Sequence, residues 1–385
     1  MIIKHLNRFL SLLFTLSLVL PALSLQAAPL PVPAPPTIKA PSYLLIDFDS
    51  GEILAEKMAD QRVEPASITK LMTSFIVLRE LRAGKIQLTD QATVSEKAWR
   101  MVGSRMFIEA GKQVSIEELL KGMIIQSGND ASVALAEHVA GSETAFAELM
   151  NFQAEQLGMT GTHFVNSTGL PHDEHYMTAR DIATLAAALI REFPTQYAWY
   201  AEKKYSYNGI SQWNRNKLLW RDPSVDGVKT GHTESAGYCL VASAKREQMR
   251  LVSVVLGTES EESRARESQA LLNYGFRFFE THRLYAAGNP LAHARVWKGA
   301  VQELPLGLLD NLYITIPRGT YKALKASMDL NTNILAPAQK GQTYGTVNVT
   351  LEGETRVQRP LVALQDVAEG SLVQRLMDSV RLWFH

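Results

Sequence analysis

Between Pro65 and Leu78 the chain reads Pro-Ala-Ser-Ile-Thr-Lys-Leu-Met-Thr-Ser-Phe-Ile-Val-Leu. From Leu71 onward this segment, written as a helix, is apolar on most sides. Such a helix is stable only with protein packed around it, so it belongs at the centre of its domain. A proline just before it suits a first helical turn, where the missing N–H is no loss. Ser67 and Lys70 stand three residues apart and share one helical face. A hydroxyl beside an amine is a nucleophile beside a possible base. Alone, a Ser-x-x-Lys match arises about once by chance in a chain of this size, so its meaning depends on what accompanies it.

The 385 residues, 46% hydrophobic and 20% charged, suffice for one large domain and a smaller one. Lys+Arg and Asp+Glu number 39 each, and this balance argues against a nucleic-acid partner. With Cys239 as the single cysteine, no intramolecular disulfide can form. Its place in the apolar run Gly237–Val241 reads as a small buried hydrophobe.

Residues 1–28 combine Lys4 and Arg8, an apolar run from Phe9 to Leu25, and the small-residue end Gln26-Ala27-Ala28. These are the three parts of a secretory signal. The rival reading is a retained anchor, but Pro21 and the small residues favour cleavage after Ala27 or Ala28, hence export. No other stretch is long and apolar enough to span a bilayer. Prolines 29, 31, 33, 35, 36 and 41 make residues 29–41 a stiff linker or extended arm.

The pattern over 42–280 is mixed. Tyr43–Asp47 and Glu52–Ala55 flank Asp49-Ser50-Gly51 as a hairpin. Ser115-Ile116-Glu117-Glu118 is a capping box opening a helix through Ile125. Ser127-Gly128-Asn129 interrupts it before Ala131–Val139, and Thr178 starts another helix ending near Arg191. Gly237–Ala244 and Met249–Gly257 form a second hairpin, followed by a helix from Glu261 through Phe279. Strands at both ends with helices between them predict an α+β domain with an antiparallel sheet. Residues 281–369 turn to short alternating segments and read as a small β-rich domain. Residues 370–385 carry an amphipathic helix with Leu372, Val373, Leu376, Met377, Val380, Trp383 and Phe384 on one side. That pattern fits a helix docked on its own domain and an interfacial membrane helix equally.

Two later fragments give Ser67 and Lys70 company: Ser127-Gly128-Asn129 and Lys229-Thr230-Gly231. Ser206-Tyr207-Asn208 also fits Ser-x-Asn, but only Ser127 stands where a helix breaks into a loop. Lys229-Thr230-Gly231-His232 precedes the strand-like run at Gly237, and small Gly231 would let a substrate backbone approach.

Ser-x-x-Lys, Ser-x-Asn and Lys-Thr-Gly in this order resemble the penicillin-recognising serine peptidases, which share them with class A β-lactamases. Pro65–Thr73, Ile125–Ala131, Asn214–Trp220, Asp226–Gly231 and Leu271–Phe279 resemble low-molecular-mass penicillin-binding proteins, the type-5 D-alanyl-D-alanine carboxypeptidases above all. The likeness spans nearly the whole chain, including signal, second domain and amphipathic end. It implies a β-lactamase/transpeptidase-like domain, an antiparallel sheet flanked by helices, and no cofactor or metal. The implied activity removes the terminal D-Ala from peptidoglycan pentapeptide through an acyl-enzyme on Ser67, with β-lactams as covalent inhibitors. Lys70 would be the general base. A free lysine, with a pKa near 10.4, is charged at neutral pH. The family geometry offers burial and Lys229 as a second charge across the cleft to lower it. Ser127 would relay a proton to the leaving D-alanine, Asn129 would hold the substrate amide, and backbone N–H groups of Ser67 and His232 would form the oxyanion hole. Lys229, Thr230 and Arg264 would bind the terminal carboxylate. For Arg264, as for Arg266 beside it, the competing reading is a solvent-facing helix charge. The resemblance also turns the amphipathic end, Leu372–His385, toward a peripheral anchor on the periplasmic face of the inner membrane.

Class A β-lactamases add a glutamate that primes the deacylating water. Here Glu148 and Glu155 fall in an ordinary helix, Ala147–Leu157, so a slowly released penicilloyl adduct is expected. His172-Asp173-Glu174-His175 follows a Gly-Leu-Pro turn without His-Glu-x-x-His spacing and reads as a solvated loop rather than a metal site. No Gly-x-Ser-x-Gly elbow supports a Ser-His-Asp hydrolase. A D,D-endopeptidase, a weak β-lactamase and a wall-binding scaffold remain the alternatives on this sequence.

Overall fold

In the computed structural model residues 32–331 and 333–383 are described; the expected export signal and the terminal Phe384-His385 lie outside them. The central sheet has five antiparallel strands: β1 (Ser42–Asp47), β2 (Ile53–Lys57), β3 (Val225–Thr233), β4 (Gly237–Arg246) and β5 (Met249–Thr258), in the order β2-β1-β5-β4-β3. Alternate residues of β5 serve opposite faces: Val252, Val254 and Leu256 join one core, Leu251 and Val255 the other. A strand covered on both sides needs no polar alternation, so β4 and β5 read as unbroken apolar runs.

One face of the sheet carries the helical layer. Its helices are α1 (Lys70–Arg82), α2 (Ile116–Ile125), α3 (Asn129–Ala140), α4 (Glu143–Gln156) and α5 (Ala179–Glu192). Every residue of α1 from Lys70 to Leu78 is buried, as its apolar circumference requires. Ser115 and Glu118 form the expected capping box on α2, and Thr178 caps α5. Helix α4 starts at Glu143, four residues before the expected Ala147, because Ser142 accepts the Ala145 N–H as its N-cap. The other face is covered by α6 (Glu261–Phe278). Residues 32–41 run along that side: Ile38 and Ala40 are buried, Tyr274 Oη donates to Pro33 O (3.0 Å), and the Lys39 N–H to Glu267 (3.2 Å). Residues 32–41 of the proline-rich stretch are thus a docked strap.

The second unit is all β. Its six-stranded sheet contains β7 (Pro290–Trp297), β8 (Glu303–Gly307), β10 (Leu324–Leu330), β11 (Ile334–Leu335), β12 (Thr343–Leu351) and β13 (Glu354–Ala363), while β6 (Phe279–Tyr285) pairs with β9 (Leu312–Pro317). Buried Asp47 of the central sheet accepts from Thr281 Oγ1 (2.7 Å), which lies 2.9 Å from Thr315 Oγ1, so a polar seam joins the two units.

Helix α7 (Leu372–Leu382) closes the described chain, capped by Ser371 and Gln374. No residue of it is buried. Its polar Asp378 accepts from the Lys298 N–H (2.7 Å), while Leu372, Val373, Leu376, Val380 and Trp383 are 59–90% exposed. The polar side faces the protein and the apolar side faces out.

Candidate active site

Ser67 stands in a 3-10 turn, Ala66–Thr69, that runs straight into α1. The turn is wedged between two glycines. A Cβ on Gly231 would lie 2.8 Å from Pro65 O, and one on Gly169 would overlap Ala66 O. Gly231 thus has to be small for the chain's own nucleophile turn, a reason the sequence did not offer, and it also lines the cavity. Three residues on, Lys70 is 1% exposed, and its Nζ lies 2.9 Å from Ser67 Oγ and 2.7 Å from Thr168 O.

Ser127 occupies the break between α2 and α3, with φ +68°. That left-handed conformation turns the hydroxyl toward Lys229, whose Nζ donates to Ser127 Oγ at 2.8 Å and to Thr230 O at 3.2 Å. Asn129 Nδ2 donates to Val102 O (2.6 Å); its Oδ1 is buried with no protein partner. Lys229 to His232 lie on β3, the sheet's edge strand, with Gly231 opposite Cys239 and His232 opposite Tyr238. The His232 ring stacks on Tyr238 at 3.9 Å. Arg264, from α6, is 3% exposed, donates to Gly231 O (3.2 Å) and lies over the Tyr238 ring.

These residues converge on one cavity of about 390 Å³. All of those singled out from the sequence line it except Lys70 and Lys229, which lie buried in its walls. Arg264 is a site residue, whereas Arg266 is half-exposed and pairs with Glu267 (3.0 Å). Ser206 of the alternative Ser-x-Asn bonds Ser211 on an exposed hairpin (2.7 Å) and takes no part in the cavity. Glu148 and Glu155 are exposed on α4.

Burial pushes the Lys70 amine down to about 7, and the Arg215 guanidinium pushes it the same way; Asp130 and Glu143 pull it back up. The Lys229 amine is held well below the usual lysine range, first by burial and then by the charges of Lys70, Arg215 and Arg264. Of the two expected causes, burial holds, and the charge assigned to Lys229 is corrected. Burial is the main cause, and the foremost neighbouring charge is Arg215. Arg215 lies within Asn214–Trp220, a segment already conspicuous in the sequence, but nothing in its spacing ties it to the cavity it lines.

The loop 171–175 is also only partly as expected. Residues 171–174 are exposed, but His175 is buried, with Nε2 2.8 Å from Thr69 Oγ1 and Nδ1 accepting from the Val165 N–H (3.2 Å). Burial, aided by His163 and His172, lowers its pKa to about 4. Thr168, Tyr238 and Glu143 are further participants that sequence motifs did not single out.

Residues 31–260 match the family model described as D-alanyl-D-alanine carboxypeptidase, and residues 279–369 that of the penicillin-binding protein 5 C-terminal domain. The chain is 47% identical over 362 residues to the D-alanyl-D-alanine carboxypeptidase DacA of Escherichia coli K12, covering 92% of this chain and 90% of that one. Penicillin-binding protein 5 of Haemophilus influenzae superposes with a TM-score of 0.84 at 43% identity, over 88% of this chain and 100% of that structure. Penicillin-binding protein D2 of Listeria monocytogenes, solved in its ampicillin-bound form, gives 0.59 at 29% identity over 63% of this chain and 100% of that one.

Proposed function

The chain belongs to the D-alanyl-D-alanine carboxypeptidase family, and from that premise we propose how its cleft removes the terminal D-alanine of a peptidoglycan pentapeptide. The observation that carries the reading is the pair of buried lysine–serine contacts, Lys70–Ser67 and Lys229–Ser127, set into the walls of one cavity.

Neutral Lys70 accepts the Ser67 proton as Oγ attacks the carbonyl of the D-Ala-D-Ala bond. The developing oxyanion is held by the backbone N–H groups of Ser67 and His232. Ser127, held by Lys229, relays the proton that Lys70 took to the departing D-alanine amine, which leaves the acyl group on Ser67 and Lys70 neutral again. Water, with Lys70 again as base, releases it. The unpartnered Asn129 Oδ1 suits a substrate amide N–H, since a buried acceptor left empty costs about 1–3 kcal/mol. Arg264 and Arg215 make the cavity lining cationic and the Thr230 hydroxyl adds a donor, which fits a terminal carboxylate.

β-Lactams enter by the same acylation. Among the described residues lining the cavity the sole carboxylate is Glu261, already paired with Lys217 (2.9 Å). Without a free carboxylate there to prime water, deacylation depends on Lys70, which favours a long-lived penicilloyl adduct. The outward apolar side of α7 supports peripheral attachment to the periplasmic face of the inner membrane, after export directed by residues 1–28. The deciding experiment is mass spectrometry of pentapeptide incubated with wild type and Ser67→Ala: wild type releases D-alanine, and release by the variant would overturn the assignment.

A further inference from the structure

Lys70 is a useful base only if its lone pair points at Ser67, and Thr168 O, 2.7 Å from Nζ, is the acceptor that takes one of its protons and sets that direction. Thr168 sits in a loop with a tightly bonded frame. Asn166 Oδ1 accepts from the Thr168 N–H (3.1 Å), Thr168 Oγ1 (3.0 Å) and the Gly169 N–H (2.7 Å). The residue between them, Ser167, joins three helices. Its carbonyl accepts from Thr73 of α1 (2.7 Å) and Ser132 of α3 (2.8 Å); its N–H and Oγ both donate to Glu143 of α4, at 3.0 and 2.8 Å. Thr73, Ser132 and Ser167 are all 0% exposed. The other Glu143 oxygen meets Lys97 Nζ at 2.8 Å. Glu143 does not line the cavity, so it touches no substrate there.

We infer that Glu143 is a positioning residue for the reaction: through Ser167 it fixes the Thr168 carbonyl that orients Lys70. This rests on Lys70 being the base. The physical reasoning is direct. A carboxylate taken out of water must be fully hydrogen-bonded, and here its bonds are spent on one loop and one lysine. Lys97 and Ser167 together hold the Glu143 carboxyl below its usual range against the opposing effect of burial, so it stays charged through neutral pH. That charge also reaches Lys70, favouring its protonated form. The other charged or titratable groups around Lys70 are Arg215, Asp130, Lys229 and His175.

The test measures acylation by a fluorescent penicillin and kcat/KM for a D-Ala-D-Ala peptide across pH 5–10, on the full chain. Glu143→Ala should acylate about 10- to 100-fold more slowly, the usual result of misplacing a catalytic group by about an ångström. Glu143→Gln keeps an acceptor for Ser167 while half-exposed Lys97 swings away, so it should recover most of the rate. Because it removes a negative charge near Lys70, its acidic limb should move to lower pH. Glu143→Ala should share that charge-driven shift, so its slower acylation, recovered in Glu143→Gln, is the part that positioning adds. Glu143→Gln is isosteric and gives an answer even where Glu143→Ala fails to fold. A folded Glu143→Ala with wild-type acylation, or a Glu143→Gln as slow as a folded Glu143→Ala, overturns the inference. Lys70→Ala run in parallel separates the two levels. If it is inactive beside an unperturbed Glu143 variant, only the positioning role falls; if it still turns over, the base assignment falls and this inference with it.

Discussion

Lys70 and Lys229 each hold a different serine in the walls of the same cavity, at 2.9 Å to Ser67 and 2.8 Å to Ser127. Burial is the first cause that holds both amines below the usual lysine range, so the base beside Ser67 owes its neutrality to desolvation before any neighbouring charge.

The activity should follow the neutral form of Lys70. With its pKa lowered to about 7, kcat/KM for peptide should climb as pH rises from 6 to 8 and then level. Arg215→Met removes the foremost charge that lowers it, so the limb should move to higher pH. An unchanged limb in a pH series would assign the titration to another group.

Buried His175 gives stability its own pH dependence. Its folded pKa of about 4 lies below the unfolded value near 6.5, so between those values the unfolded chain binds the extra proton. Stability from this group is full above about 6.5 and is lost as pH falls toward 4. Urea denaturation from pH 4 to 7 should show a shallower slope in His175→Gln.

Gly231→Ala should be severe despite its small size. The added methyl meets a backbone oxygen of the nucleophile turn at 2.8 Å, and a backbone cannot step aside as a flexible side chain can. A stability loss of about 1–3 kcal/mol is expected. Penicillin labelling should drop by more than that loss explains, because Ser67 itself is displaced.

Arg264 and Arg266 provide a matched pair on one helix. Arg264→Leu should raise KM for peptide about 10- to 100-fold, the magnitude of one or two charge-assisted bonds. Arg266→Leu, half-exposed and paired with Glu267, should leave KM unchanged and stability within about 0.5 kcal/mol. Steady-state kinetics on both variants decides it.

Truncation before Leu372 should abolish co-sedimentation with anionic lipid vesicles while leaving kcat/KM on a soluble peptide intact. None of the helix is buried, and the catalytic cavity contains none of its residues. Full membrane partition by the truncated chain would remove the anchor assignment.

Much of this architecture was legible because it is local. The circumference of α1, the Ser115–Glu118 cap, the strand pattern of β4 and β5 and the amphipathic end each follow from residues a few positions apart. The ordered Ser67–Lys70, Ser127–Asn129 and Lys229–Gly231 fragments named the site because their residue types and order are specific together. Harder to read were groups whose importance lies in what they meet. Arg215 resembles any turn arginine, Glu143 any first-turn acid, and His175 any loop histidine until folding buries it beside Thr69.

The sequence by itself determined most of the elements, though not strand β3 that carries Lys229, and which hydroxyls and amines could do chemistry, since helical and strand periodicity and motif spacing are written along the chain. Only the tertiary structure decided what lowers the Lys70 pKa, what occupies the space Gly231 leaves, and which way the apolar side of α7 faces. Those outcomes depend on desolvation and on contacts between residues up to about a hundred or more positions apart, such as Lys70 with Thr168 and Pro65 with Gly231, which no local pattern encodes.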